Sequence, residues 1–111
     1  MATQNRHSDG GVDLPPAVVE DLLAADSRRR ALAVLAERGQ PMVVEELARA
    51  VVAAREGCPA SAVSAAERDE MARELFTEHI PKLTATRTVR YDSMLGAVEL
   101  RRPALAVAAR S

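Results

Sequence analysis

Residues 64–83 read SAAERDEMARELFTEHIPKL, and residues 89–100 read VRYDSMLGAVEL. The order of these two stretches decides the fold. Ser64-Ala65-Ala66-Glu67 is a capping box, with a serine at the cap and a glutamate three residues on. Ala72, Leu75, Phe76, His79 and Leu83 then recur at helical spacing along one face. Pro81 falls inside that pattern. It removes a backbone hydrogen bond, so the last turn is expected to bend or become irregular. After the helix the period changes to two. Val89 and Tyr91 alternate with Thr88, Arg90 and Asp92, and Val98 and Leu100 alternate with Ala97 and Glu99. Ser93-Met94-Leu95-Gly96 supplies the turn. The stretch predicts one long helix followed by a β-hairpin.

Upstream lie three shorter helical patterns. Leu14-Pro15-Pro16 opens the first, since proline suits a first helical turn, and Val18, Val19, Leu22 and Leu23 form its apolar stripe. Asp26 or Ser27 can cap the second, which carries Arg28, Ala31, Leu32 and Leu35 on one side and stops at Gly39. Gln40-Pro41-Met42 is a short extended link. Val44, Leu47, Ala48 and Val51 define the third, and Gly57-Cys58-Pro59 ends it. Leu32, Leu35, Leu47, Val51, Leu75, Phe76, Leu83 and Val98 are the predicted core. A central Phe76 would make Phe76→Ala cost about 3–5 kcal/mol.

Residues 1–13 are polar and read as a disordered tail. Residues 14–101 form the domain, and 102–111 are an Ala-rich basic tail, either a frayed helix or disordered. The layout is mainly α with a small β-hairpin: a winged helix-turn-helix domain of three to four helices plus a C-terminal wing.

Bulk properties narrow the function. A chain of 111 residues is one domain by length. Hydrophobic residues are 48% and aromatics 2%, so Ala, Val and Leu must build the core. Fifteen basic against sixteen acidic residues give a net charge of −1, with no global pull on nucleic acid or anionic membrane. Any binding patch is local. One cysteine, Cys58, excludes an intrachain disulfide. No apolar run reaches membrane-spanning length, and residues 1–11 lack the apolar segment of a signal peptide. A cytoplasmic protein is expected.

Three strings resemble a known family. They are Asp26-Ser27-Arg28-Arg29-Arg30 before an apolar helix, His79-Ile80-Pro81-Lys82-Leu83 closing the long helix, and Val89-x-Tyr91-Asp92 with Gly96-x-Val98-x-Leu100. They are similar to the NRRRR, THLPKL and VVEYD…GTVEL strings of winged-helix domains of unknown function abundant in haloarchaea. The histidine–proline–lysine–leucine string is the most specific. The resemblance covers roughly residues 14–100 and implies small archaeal regulators related to ArsR-type repressors, with DNA binding in transcription control. It brings no catalytic or cofactor residues. This chain departs from the family in its near-neutral charge. It also has Ala85-Thr86-Arg87-Thr88 where the family often has glycine before the first wing strand.

The candidate residues pull in two directions. Arg28-Arg29-Arg30 in a helix's first turn opposes the positive end of its dipole. The cluster can contact DNA phosphates, or it can pair with Glu20, Asp21 or Asp26 while the Arg28 stem packs. Glu67, Glu70, Glu74 and Glu78 stripe the outward face of the long helix, with Arg73 and Thr77 beside them. That stripe would repel a phosphate backbone. His79, between Phe76 and Leu83, reads as a packed histidine bonding a backbone carbonyl. Further ligands for a metal site are not indicated, and no nucleophile–base pair, phosphate loop or paired-acid signature marks an enzyme. No cofactor is expected.

The first functional expectation is a winged-helix DNA-binding regulator acting as a homodimer on double-stranded DNA. Its long helix would enter the major groove and its hairpin would touch the backbone. Arg73, Thr77 and Lys82 on the helix and Arg90 on the wing are the expected contacts. Val18, Val19, Leu22 and Leu23 are the expected dimer surface. The alternative is a protein-interaction module that kept the fold without DNA binding.

Overall fold

The computed structural model describes residues 14–110, so the expected N-terminal tail, 1–13, lies outside the described residues. Helix α1 (Pro16–Ala24) leads into α2 (Asp26–Arg38), the short strand β1 (Met42–Val43) and α3 (Val44–Glu56). A 3₁₀ turn at Ala60–Ala62 precedes α4 (Ala65–Glu74), a π-helical turn (Leu75–His79) and α5 (Ile80–Ala85). Strands β2 (Val89–Asp92) and β3 (Ala97–Leu100) follow, then α6 (Pro103–Ala109). The protein is mainly helical with one small antiparallel sheet of order β1-β3-β2.

Local signals place most boundaries. Gly39 and Gly57 stand just past α2 and α3 with φ of +67° and +72°, and their N–H groups donate back to Leu35 and Ala53. Glycine takes this left-handed conformation without steric cost. At α4 the Ser64 hydroxyl accepts from the Glu67 N–H and the Glu67 carboxylate accepts from the Ser64 N–H, so both halves of the capping box form. In the hairpin, Tyr91 stands opposite Val98 and Arg90 opposite Glu99. The Asp92 carboxylate accepts from the N–H groups of Met94 and Leu95, closing the turn. The link before α3 is more than a connection. Met42 and Val43 pair with Val98 and Ala97 and tie α3 to the sheet.

Pro81 is accommodated by widening the helix. A regular α-helix through position 81 would aim the proline ring at the Thr77 carbonyl and leave that carbonyl without its N–H partner. One extra residue in the preceding turn relieves this, and the Ile80 N–H donates to Leu75, five residues back. Helices α4 and α5 thus follow one another through the π turn, and the insertion rotates the side chains around it.

The expected core needs correction at one position, because the helix face that Met71, Ala72 and Leu75 bury lies to one side of Phe76. Leu32, Leu35, Leu47, Val51, Leu75, Leu83 and Val98 are all buried, but Phe76 is 43% exposed. Ile80 is buried at the turn. Phe76 instead meets Tyr91 of β2 edge to face, with ring centroids 5.9 Å apart and planes at 86°. An aromatic pair of this geometry contributes about 0.5–1.5 kcal/mol beyond its burial. Phe76→Ala should therefore cost about 1–2 kcal/mol by urea denaturation, not the 3–5 of a packed centre. A measured loss above about 3 kcal/mol would return Phe76 to the core.

The packed unit extends past Arg101. Leu105 and Ala106 of α6 are fully buried, and α6 packs against α2. No helix among the described residues is long and apolar enough to cross a membrane.

Candidate nucleic-acid interface

The three consecutive arginines are built into the scaffold. Helix α1 ends with carbonyls that have no partner inside the helix. The buried Arg28 donates from Nε to the Leu22 carbonyl at 2.8 Å and from Nη2 to the Asp21 carbonyl at 2.6 Å. Arg29 donates to the Leu23 carbonyl at 2.6 Å, and Arg30 to the Ala54 carbonyl near the end of α3 at 3.2 Å. Arg29 and Arg30 also pair with the Asp26 carboxylate at 3.3 and 2.7 Å. Cations thus sit at the negative ends of α1 and α3, while Asp26 offsets them in the first turn of α2. Of the expected acidic partners, Asp26 contributes its carboxylate and Asp21 its backbone.

The remaining Arg28 nitrogen, Nη1, meets His79 Nδ1 at 3.2 Å, and His79 Nε2 meets Glu74 Oε2 at 2.8 Å. A guanidinium only donates, so Nδ1 accepts and Nε2 carries the proton given to Glu74. His79 is buried as expected, but its partners are side chains. Glu74, Glu78 and His79 bring ligand-type atoms within 4.8 Å of one another. A metal on Nε2 would move the ring proton to Nδ1, against the Arg28 donor. The Arg28–His79 bond therefore sets this trio up as a structural relay and works against metal ligation.

The hydrogen bond from His79 holds the Glu74 carboxyl below its ordinary value of 4.5, against partial burial, with help from Ser27. A depressed carboxylate contributes stability that is present above its unfolded value and is lost as pH falls through its folded value. Stability should drop on acidification below about pH 4.5, and Glu74→Gln should make that drop smaller. Urea midpoints at neutral and acid pH check this. Equal pH dependence in both proteins would refute it.

The expected DNA contacts have different surroundings. Arg73 is exposed and has no ion-pair partner among the described residues. The Thr77 hydroxyl donates to the Arg73 carbonyl at 2.9 Å. Lys82 Nζ lies 2.7 Å from Asp21 of α1, and Arg90 Nε lies 3.5 Å from Glu99 across the strand pair. The glutamate stripe is partly occupied too. Glu67 caps α4 and Glu74 holds His79, and Glu67, Glu70 and Glu74 line a recess of about 180 Å³ with Arg55 and Met71. That part of the stripe faces the end of α3, while Phe76 of the π turn faces Tyr91 of the β2–β3 hairpin.

A second cationic feature lies at the base of the β2–β3 hairpin. Thr84, Arg87, Val89, Arg90, Tyr91 and Arg101 line an open recess of about 680 Å³. Sequence reasoning singled out Arg90 alone of these as a contact. The three arginines come from the α5–β2 link, β2 and the residue after β3, so only strand pairing gathers them.

The family model for DUF7344, a domain of unknown function, matches residues 20–99. Searches of curated proteins and of solved structures find no match.

Proposed function

We propose that this chain, which belongs to the DUF7344 family, is a winged-helix DNA-binding protein that acts in transcription control as a homodimer. One observation carries this reading. The rod formed by α4, the π turn and α5 runs directly into the β2–β3 hairpin and touches it through Phe76 and Tyr91. A helix and a hairpin held side by side suit a major-groove reader with a flanking backbone contact. The order α2, β1, α3, α4, β2, β3 and the sheet order β1-β3-β2 support the winged-helix assignment. Arg73, Thr77, Lys82 and Arg90 are the contacts in this reading, with Lys82 exchanging Asp21 for a phosphate. Kinship with haloarchaeal winged-helix domains and ArsR-type repressors rests on the three strings quoted above, and the site of action is the cytoplasm. Leu22 of the expected dimer surface is buried in the core, so Val18, Val19 and Leu23, half-buried on α1, are offered as the dimer surface.

A second reading, a protein-interaction module, draws on the wing tip. Met94 and Leu95 are 92% and 69% exposed, and the turn carries no cation. Fluorescence anisotropy with mixed genomic duplexes at low and high salt separates the two. DNA binding requires affinity that falls steeply with salt and weakens in Arg73→Ala. A folded protein that binds no duplex at either salt removes the DNA reading and leaves the interaction reading.

A further inference from the structure

We infer that the recess at the wing base is a phosphate site, built by Arg87, Arg90 and Arg101 with the Thr84 side chain beside them, and that it supplies the main electrostatic hold on DNA. The inference rests on the DNA reading and relocates its anchor away from the wing tip and the long helix.

Three independent observations lead there. The first is charge. Three arginines line one recess, and the carboxylate that approaches two of them, Glu99, stands 3.5 Å from Arg90 and 4.0 Å from Arg101, long distances for ion pairs. The recess keeps a positive surplus in a chain whose net charge is −1. The second is availability. Arg87 closes α5: its φ of +58° is the left-handed turn of a helix end, held by the Arg87 N–H donating to Thr84 and the Thr88 N–H donating to Leu83. A side chain in that region is disfavoured relative to glycine. The Arg87 guanidinium itself makes no hydrogen bond or ion pair among the described residues and stands open to a ligand. The third is the state of the other cations near the helix and hairpin. Lys82 is held by Asp21, Arg68 by Asp69, Arg28 to Arg30 by helix ends, and the wing tip presents Met94, Leu95 and Asp92, which leaves Arg73 as a single unpaired cation on the long helix among the described residues. Phosphate suits the recess because guanidinium forks match its oxygens, while the Thr84 hydroxyl donates to the Pro81 carbonyl at 3.1 Å and serves as lining.

Arg87→Gly is the informative variant, since it removes the guanidinium and the strain together. It should raise the thermal midpoint and weaken duplex binding in the same protein. The triple variant R87G/R90Q/R101Q should lose at least about tenfold in affinity at low salt, and its salt slope should fall by up to about three. Glu99→Gln, which removes the opposing carboxylate, should tighten binding. Anisotropy with a labelled duplex at two salt concentrations reads all of these, and circular dichroism establishes that each variant is folded. A parallel thermal-shift titration with inorganic pyrophosphate distinguishes the source of the phosphate. If the native protein binds no duplex but is stabilised by pyrophosphate, and the triple variant is not, the site stands and the DNA reading falls. If the native protein binds duplex and the folded triple variant binds it with unchanged affinity and salt slope, the site is wrong and the DNA reading stands. No response to either probe overturns both.

Discussion

Replacing Arg28 with alanine should destabilise the protein by about 3–5 kcal/mol, the cost of leaving buried charge-bonded partners without their donor. The side chain is buried and its three nitrogens serve three acceptors: the Leu22 carbonyl, the Asp21 carbonyl and His79 Nδ1. Alanine leaves the end of α1 uncapped and opens a void that the stem had filled. It also releases the bond that fixes the His79 tautomer, on which the Glu74 contact depends. Arg28→Lys should recover only part of the loss, because one ammonium cannot reproduce the fork. Its neighbours provide the contrast. Arg29 and Arg30 are more exposed, so their alanine variants should cost under about 1 kcal/mol each. Urea denaturation with matched slopes reads all three. Domains of this size are stable by about 5–15 kcal/mol, so the Arg28 variant should be visibly marginal. A loss below about 1 kcal/mol would mean that water replaces the guanidinium and that the clamp is not structural.

What the sequence discloses here depends on how local each determinant is. The ends of α2, α3 and α4 were legible because Gly39, Gly57 and the Ser64–Glu67 pair act within a few residues of themselves. The hairpin was legible from alternation alone. Pro81 announced a distortion but not its form. A kink and a π turn both relieve a missing N–H, and the structure takes the latter, which brings Ile80 and Leu83 onto the buried side after Phe76 has been left exposed. Arg28 looked like its two neighbours, because its acceptors lie across the α1–α2 corner and on a helix 51 residues away. Arg87, Arg90 and Arg101 are scattered in sequence. They converge because β2 and β3 pair with Arg90 opposite Glu99, a register that sets Arg101 just beyond the strand end. The Arg87 conformation had a faint signal. The linker 85–88 lacks the glycine expected there, and the structure puts a positive φ on Arg87 within it.

Helix α6 was the least legible element, and removing it should have the other large effect. Its seven residues offer too few positions for a helical period to show, and alanine-rich composition suits a tail as well as a helix. Yet Leu105 and Ala106 are fully buried against α2. Just before them, Arg102 donates to the Thr86 carbonyl at 2.8 Å, holding the linker that leads into the β2–β3 hairpin. A chain ended after Arg101 loses the leucine, the alanine and that bond at once. Leu105→Ala by itself should cost about 2–5 kcal/mol, the range for truncating a fully buried leucine. The shortened chain should lose more than this variant and melt about 10 °C or more below the full-length protein, given about 4–8 °C per kcal/mol for a domain of this size. Val107→Ala is the control, since Val107 is 68% exposed and should shift stability by no more than about 0.5 kcal/mol. Thermal denaturation of the four proteins side by side gives the order. A truncated chain that melts with the full-length protein would show that the domain closes at Arg101 and that α6 is an ornament on its surface. A truncated chain that melts early, beside a Val107→Ala protein that does not, would place the boundary of the folded unit at the end of α6.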